Sequence, residues 1–423
     1  MKPLLPLALL AALAAPLAAQ TPGADSALAL ARRVLRTTPL VDGHNDLPWR
    51  IREDSVAPGD VEAYDLRKKA PGMTDIARLR AGMVGAQFWS IYIPGEIKDS
   101  GFARVQLEQF DIARRTIAKY PEALELVTTV AGVRRAFAAH KVGSLLGLEG
   151  GHAIENSLGV LRMYYEMGAR YMTLTHNVTL DWADAALDEA KHGGLTPFGR
   201  EVVREMNRLG MLVDLSHVSP GTMSAALTVT EAPVIFSHSA ARALVDHRRN
   251  VPDSILARLP ANGGVVMVPF VTSFVSAALH AWEDSSAAAG RAERGRAGSD
   301  SASVRRAVDA WRAAHPRPHV TIKDVADHID HVRQVAGVDH VGIGSDLDGI
   351  TETVDGLEDV STFPALFAEL ARRGWKEAEL RKLAGENVLR VLAQAEQVSA
   401  RLRRTRAPSN KTIRQLDGRP VTP

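Results

Sequence analysis

The 423-residue chain contains no cysteine. That excludes disulfides, thiolate metal sites, a cysteine nucleophile and a lipid-modified N-terminal cysteine. A metal can therefore be held only by His, Asp and Glu. An excess of one charge is also lacking: 51 basic against 49 acidic residues leave a formal net charge of +2. No overall field steers nucleic acid or an anionic membrane toward the chain. The C-terminal stretch 410–423 is polar and basic and lacks the hydrophobic tail of a lipid-anchor signal.

What is present begins with Met1-Lys2 and a run of Leu, Ala and Pro over residues 3–19, interrupted by Pro6 and Pro16 and closed by Ala18 and Ala19. The run is short for a bilayer span. It has the pattern of an export signal cleaved after Ala19 or Gln20. The expectation is an exported protein, periplasmic or extracellular, with no stable membrane anchor. Apolar residues make up 46% of the chain, a normal share for a large core.

Eight short apolar runs have strand character: 39–43, 84–91, 144–149, 171–175, 211–216, 234–237, 264–270 and 340–345. Between them lie segments with helical spacing, such as 103–119 and 199–209. Near-continuous apolar strands alternating with amphipathic helices imply a parallel sheet covered on its outer face. Eight such units point to a (β/α)₈ TIM barrel occupying residues 20–400. Residues 276–318, rich in Ala, Ser, Arg and Gly, form an insert after the seventh run. Its middle, 285–303, reads as flexible, while Val304, Val308 and Trp311 share one helical face. Residues 401–423 read as a charged tail, either loose or wrapped over the barrel.

Histidines and acids gather where the runs end. His44 and Asp46 follow the first run; in an extended segment residues two apart point the same way and can grip one metal. Glu149 ends the third run, His176 the fourth, His217 the fifth, His238 the sixth and Asp346 the eighth. In a barrel the C-terminal ends of all strands converge on one face, where active sites lie. The donor set suits zinc and exceeds what one open tetrahedral site needs. It fits two ions sharing a carboxylate, able together to activate a hydroxide and polarise a carbonyl.

The blocks His44-Asn-Asp-Leu-Pro, Glu149-Gly-Gly-His152, Thr173-Leu-Thr-His176-Asn, Asp214-Leu-Ser-His217-Val-Ser, Phe236-Ser-His238-Ser, Arg248-Arg-Asn-Val-Pro-Asp253 and Gly344-Ser-Asp346-Leu-Asp-Gly349 resemble those of the membrane (renal) dipeptidases of the amidohydrolase superfamily. The resemblance runs from about Thr38 to Gln397. It implies a dipeptidase with two zinc ions per chain at the C-terminal ends of the strands, cleaving the amide through a metal-bridging hydroxide. His44 and Asp46 would hold one ion, His217 and His238 the other, and Glu149 would bridge. His176 would contact the substrate carbonyl or its tetrahedral intermediate. Arg249 would bind the terminal carboxylate, and Asp346 would act as acid and base. A homodimer is left open.

The chain departs from the animal enzymes of that family in lacking cysteines, in having no tyrosine near the end of the seventh run, and in its long insert. The insert emerges on the metal face, which predicts that it shapes the pocket in place of the absent tyrosine. Two other readings share these residues: a metal-dependent amidase acting on a β-lactam or cyclic amide, and an exported binding protein without turnover. The second should lack a ligand or the acid/base residue, and none is missing.

Overall fold

Strands buried on both faces need apolar residues at consecutive positions, and the runs supply them: Val142–Glu149 and Val265–Val268 are buried throughout. The computed structural model describes residues 22–97, 101–296 and 298–418; the export-signal reading of 1–19 falls outside them. The strands are β1 (Leu40–Asn45), β2 (Val84–Tyr92), β3 (Leu124–Leu126), β4 (Val142–Glu149), β5 (Ala169–Thr173), β6 (Leu212–Asp214), β7 (Ile235–Phe236), β8 (Val265–Val268) and β9 (Val341–Ile343). All pair in parallel in the order β2-β1-β9-β8-β7-β6-β5-β4-β3, and β2 also pairs with β4. That pairing closes an eight-stranded barrel, the predicted (β/α)₈ fold.

Strand β3 is additional to the eight runs. It takes the start of the β4 edge, Leu124 opposite Val142, before β5 pairs with the same edge from Leu146 onward. Three residues are too few to show a periodic pattern, which is why the sequence concealed it. The predicted helical segments are the helices Phe102–Lys119 and Pro197–Leu209. The second is bounded by its own chemistry: the Thr196 side chain accepts the Gly199 N–H, Pro197 stands at the first turn, and Gly210 closes the end at φ 89°. Among the described residues no helix is long and apolar enough to cross a membrane.

The insert differs from its flexible reading. It is a hairpin of two helices, Ala277–Arg294 and Ser301–Ala314, so most of 285–303 is helical. Ser276 and Asp300 cap the two helices. Val304 and Val308 close over Gly290, and the rings of Trp282 and Trp311 lie 5.6 Å apart. The apolar stripe therefore packs within the hairpin. The described part of the C-terminal segment, residues 401–418, is wrapped rather than loose. Ser409 Oγ donates to Glu201 at 2.6 Å, Ile413 is buried, and Asp417 accepts from Thr196 Oγ1 at 2.6 Å and Phe198 N at 3.0 Å. That carboxylate sits at the start of the helix Pro197–Leu209, the end that favours negative charge.

Candidate metal centre and its cavity

The C-terminal ends of the strands open into a cavity of about 720 Å³ lined by Asp46, Glu149, His176, His217, His238, Arg249 and Asp346, with Trp49, Tyr92 and Asn177 among its other walls. His44 is fully buried in β1 beneath it. Asp46 follows the end of β1, and its Oδ2 lies 3.1 Å from His44 Nε2. Glu149, the last residue of β4, divides its two oxygens. Oε2 is 3.3 Å from His44 Nε2, while Oε1 is 2.9 Å from His217 Nε2 and 3.5 Å from His238 Nε2. Asp346 Oδ1 lies 3.9 Å from His44 Nε2, and His176 Nε2 lies 3.8 Å from Glu149 Oε1.

Backbone strain accompanies this convergence. His217 and Asp346 have φ of 69° and 65°, the left-handed region that is costly for L-residues other than glycine. Each follows a serine whose N–H is held by a buried carboxylate: Ser216 by Asp214 at 3.0 Å and Ser345 by Asp42 at 2.7 Å. Close approach matters as well. A side chain on Gly147 of β4 would collide with the ring of Tyr171, its partner on β5. Only glycine lets that ring cross the barrel and bring its hydroxyl 2.9 Å from His44 Nδ1.

The histidines are held from behind. His217 Nδ1 lies 3.0 Å from Asn177 Oδ1, and His238 Nδ1 lies 2.8 Å from Ser237 Oγ. Ser90 donates to Glu149 Oε2 at 2.9 Å. With Nδ1 engaged, each ring turns Nε2 inward, and the Nε2 atoms of His217 and His238 stand 2.8 Å apart. His44 Nε2 is buried without a hydrogen-bond partner. Converging nitrogen lone pairs and carboxylate oxygens are the donor chemistry of a cation site. Ligand atoms group as His44–Glu149–His238, Glu149–His176–His217 and His44–Asp46–Asp346. The residues fit a metal centre.

The charges are set by packing. Burial acts to raise Glu149, but the charge of nearby His44 and the hydrogen bond from His217 outweigh it and hold the carboxyl well below its usual range. Burial pushes Asp346 well above the usual carboxylate range, with Asp46 and Glu149 adding to the effect. His217 and His238 are driven well down, first by burial and then by neighbouring cationic groups including Arg249. Burial lowers Arg249 to about 10.

All eight predicted site residues thus come to one place: seven line the cavity and His44 lies beneath it. Among the described residues of 276–318 none lines the cavity, contrary to the expectation from the insert's position. The insert touches the site only indirectly, His280 lying 5.1 Å from His247, two residues from Arg249. A tyrosine does enter the cavity, but as Tyr92 from the end of β2. That strand ends in no histidine or acid, so a search for metal donors passed over it. Asn177 and Ser237 were also missed, although each adjoins a predicted histidine in its motif.

Comparisons with known proteins bear on family and fold. The model of the membrane dipeptidase family (peptidase family M19) matches residues 28–406. Dipeptidase 3 of Mus musculus is 43% identical over 379 residues, covering 88% of this chain and 67% of the mouse protein. The Rattus norvegicus protein of the same name is also 43% identical, with 68% of its length covered. Among solved structures, the probable dipeptidase PvdM from Pseudomonas aeruginosa shares the fold, with a TM-score of 0.76 at 23% identity over 88% of this chain and 99% of that one. A metallopeptidase from Rhodobacter sphaeroides, bound to a phosphinate mimic of the dipeptide L-Ala-D-Ala, has a TM-score of 0.69 at 25% identity over 85% of this chain and 99% of that one.

Proposed function

The chain belongs to the membrane dipeptidase family, and on that premise we propose that it is a two-zinc dipeptidase hydrolysing the amide bond of dipeptides. The observation that carries the reading is the division of Glu149 between His44 on one side and His217 and His238 on the other. His44, Asp46 and Glu149 would hold one ion, and Glu149, His217 and His238 the second. Zinc at these positions would supply Lewis acidity and lower the pKa of water toward neutrality.

The chain's own groups do the rest. Arg249 is buried, and its Nε has no hydrogen-bond partner. It is placed to take a carboxylate in a forked pair and so to select short zwitterions. Holding that terminus orients the scissile amide in the cavity. His176, lowered by burial, presents a neutral imidazole near Glu149 to the substrate carbonyl. Asp346, whose basicity burial raises, takes a proton as the carboxylate from the attacking water and, now protonated, delivers it to the leaving amine.

The deciding experiment is hydrolysis of a panel of L,L- and L,D-dipeptides by the zinc-loaded protein, with N-acetylated and C-amidated controls. Cleavage of free dipeptides, with the C-amide poorly turned over, supports the reading; cleavage confined to cyclic amides or β-lactams overturns it. Glu149→Gln tests the bridge through metal content. We expect the parent's two ions per chain to fall to one or fewer, and parental stoichiometry in the variant removes the bridging role.

A further inference from the structure

Two carboxylates, Asp42 and Asp214, are fully buried under the centre and have no place in the reaction above. Asp214, at the end of β6, accepts through Oδ1 the backbone N–H of Ser216 at 3.0 Å and of Ser237 at 2.9 Å. Its Oδ2 accepts the Ser237 hydroxyl at 2.5 Å. Ser237 Oγ in turn lies 2.8 Å from His238 Nδ1. A serine hydroxyl has one proton. Given to Asp214, that proton leaves the oxygen able only to accept, so His238 must carry its own proton on Nδ1. The Nε2 lone pair of His238 is then committed to the side where Glu149 and His217 stand. The same carboxylate fixes Ser216, the residue before His217, in the turn that holds His217 at φ 69°.

We infer that Asp214 is a positioning residue for the half of the centre built from His217 and His238. Through Ser237 it sets the proton of one imidazole, and through the Ser216 N–H it sets the backbone of the other. The inference rests on the two-metal reading above. The opposite half is supported separately: His44 Nδ1 meets the Tyr171 hydroxyl, and Asp42 takes both the N–H and the hydroxyl of Ser345. A lesion at Ser237 should therefore weaken one ion and spare the other.

The test is Ser237→Ala in the full chain, with zinc stoichiometry and affinities measured by chelator competition, and the melting temperature of the metal-free protein measured alongside. We expect one ion bound as in the parent and the other weakened about 10–100-fold, the usual scale for losing the partner behind a histidine ligand. Ser237→Thr, which keeps the hydroxyl, should restore most of that affinity, and Asp214→Asn should reproduce the loss. Should Asp214→Asn not fold, the serine pair still decides. A purely structural role would lower the melting temperature and leave both affinities at parental values, which overturns the inference. Equal weakening of both ions overturns it too. A parent that binds fewer than two zinc ions removes the reading beneath it, and is recognised without any variant.

Discussion

Arg249 lies over Phe274, its guanidinium carbon 5.2 Å from the ring centroid, buried against an aromatic face and in no ion pair among the described residues. A buried cation with no anion in direct contact is costly, and a ligand carboxylate would complete it. Arg249→Ala should therefore raise KM for free dipeptides, with a loss in kcat/KM of roughly 10–100-fold, the scale of a charged hydrogen-bonded pair. C-amidated substrates should be affected far less. An equal loss on both substrate types, measured side by side, would show that Arg249 only supports the turn it sits in.

Asp346 and Glu149 are both carboxylates in one cavity, yet packing pushes the first well up and the second well down. Asp346→Asn should keep the parental metal content and lower kcat by roughly 10²–10⁴, the range for a general acid/base residue. Steady-state kinetics with metal analysis on the same sample checks both halves; turnover equal to the parent removes Asp346 from proton transfer.

The insert hairpin is closed at its base by Trp282 Nε1 donating to the His315 carbonyl at 2.8 Å. Replacing residues 285–312 with a short Gly/Ser link should leave that base intact. Metal content and the ranking of dipeptides should then match the parent, because none of the described side chains removed lines the cavity. A changed ranking would give the hairpin a role in specificity.

Away from the centre, His328 is fully buried and accepts the Ala241 N–H through Nδ1 at 3.0 Å. Burial lowers its pKa from 6.5 to about 4. Between those values the unfolded chain binds a proton that the folded chain does not, so stability falls as pH drops from 6.5 toward 4. At about 1.4 kcal/mol per pKa unit, this one residue accounts for roughly 3 kcal/mol of that fall. Urea unfolding of metal-free His328→Gln should show a shallower acid slope than the parent by about that amount. Parallel slopes would mean that His328 titrates alike in both states.

The barrel was legible because its signals are local. Consecutive apolar residues, a threonine and a proline before a helix, and a glycine after it all act between neighbours in the chain. The candidate ligands were legible for a related reason: they sit at the ends of those same runs, and a parallel barrel carries all such ends to one face. Tertiary contacts decided the rest. The stripe Val304, Val308 and Trp311 announced a buried face without naming what covers it, and the structure turns it onto the insert's own first helix. The tail left two outcomes open until Asp417 was seen at the start of the helix Pro197–Leu209. Glu149 was recognisable as an acid at a strand end, but the facing of each of its oxygens depends on side chains from or just after four other strands. Asp42 meets Ser345 across 303 residues of chain. No pattern within a window of sequence encodes such a contact, because closure of the barrel creates it.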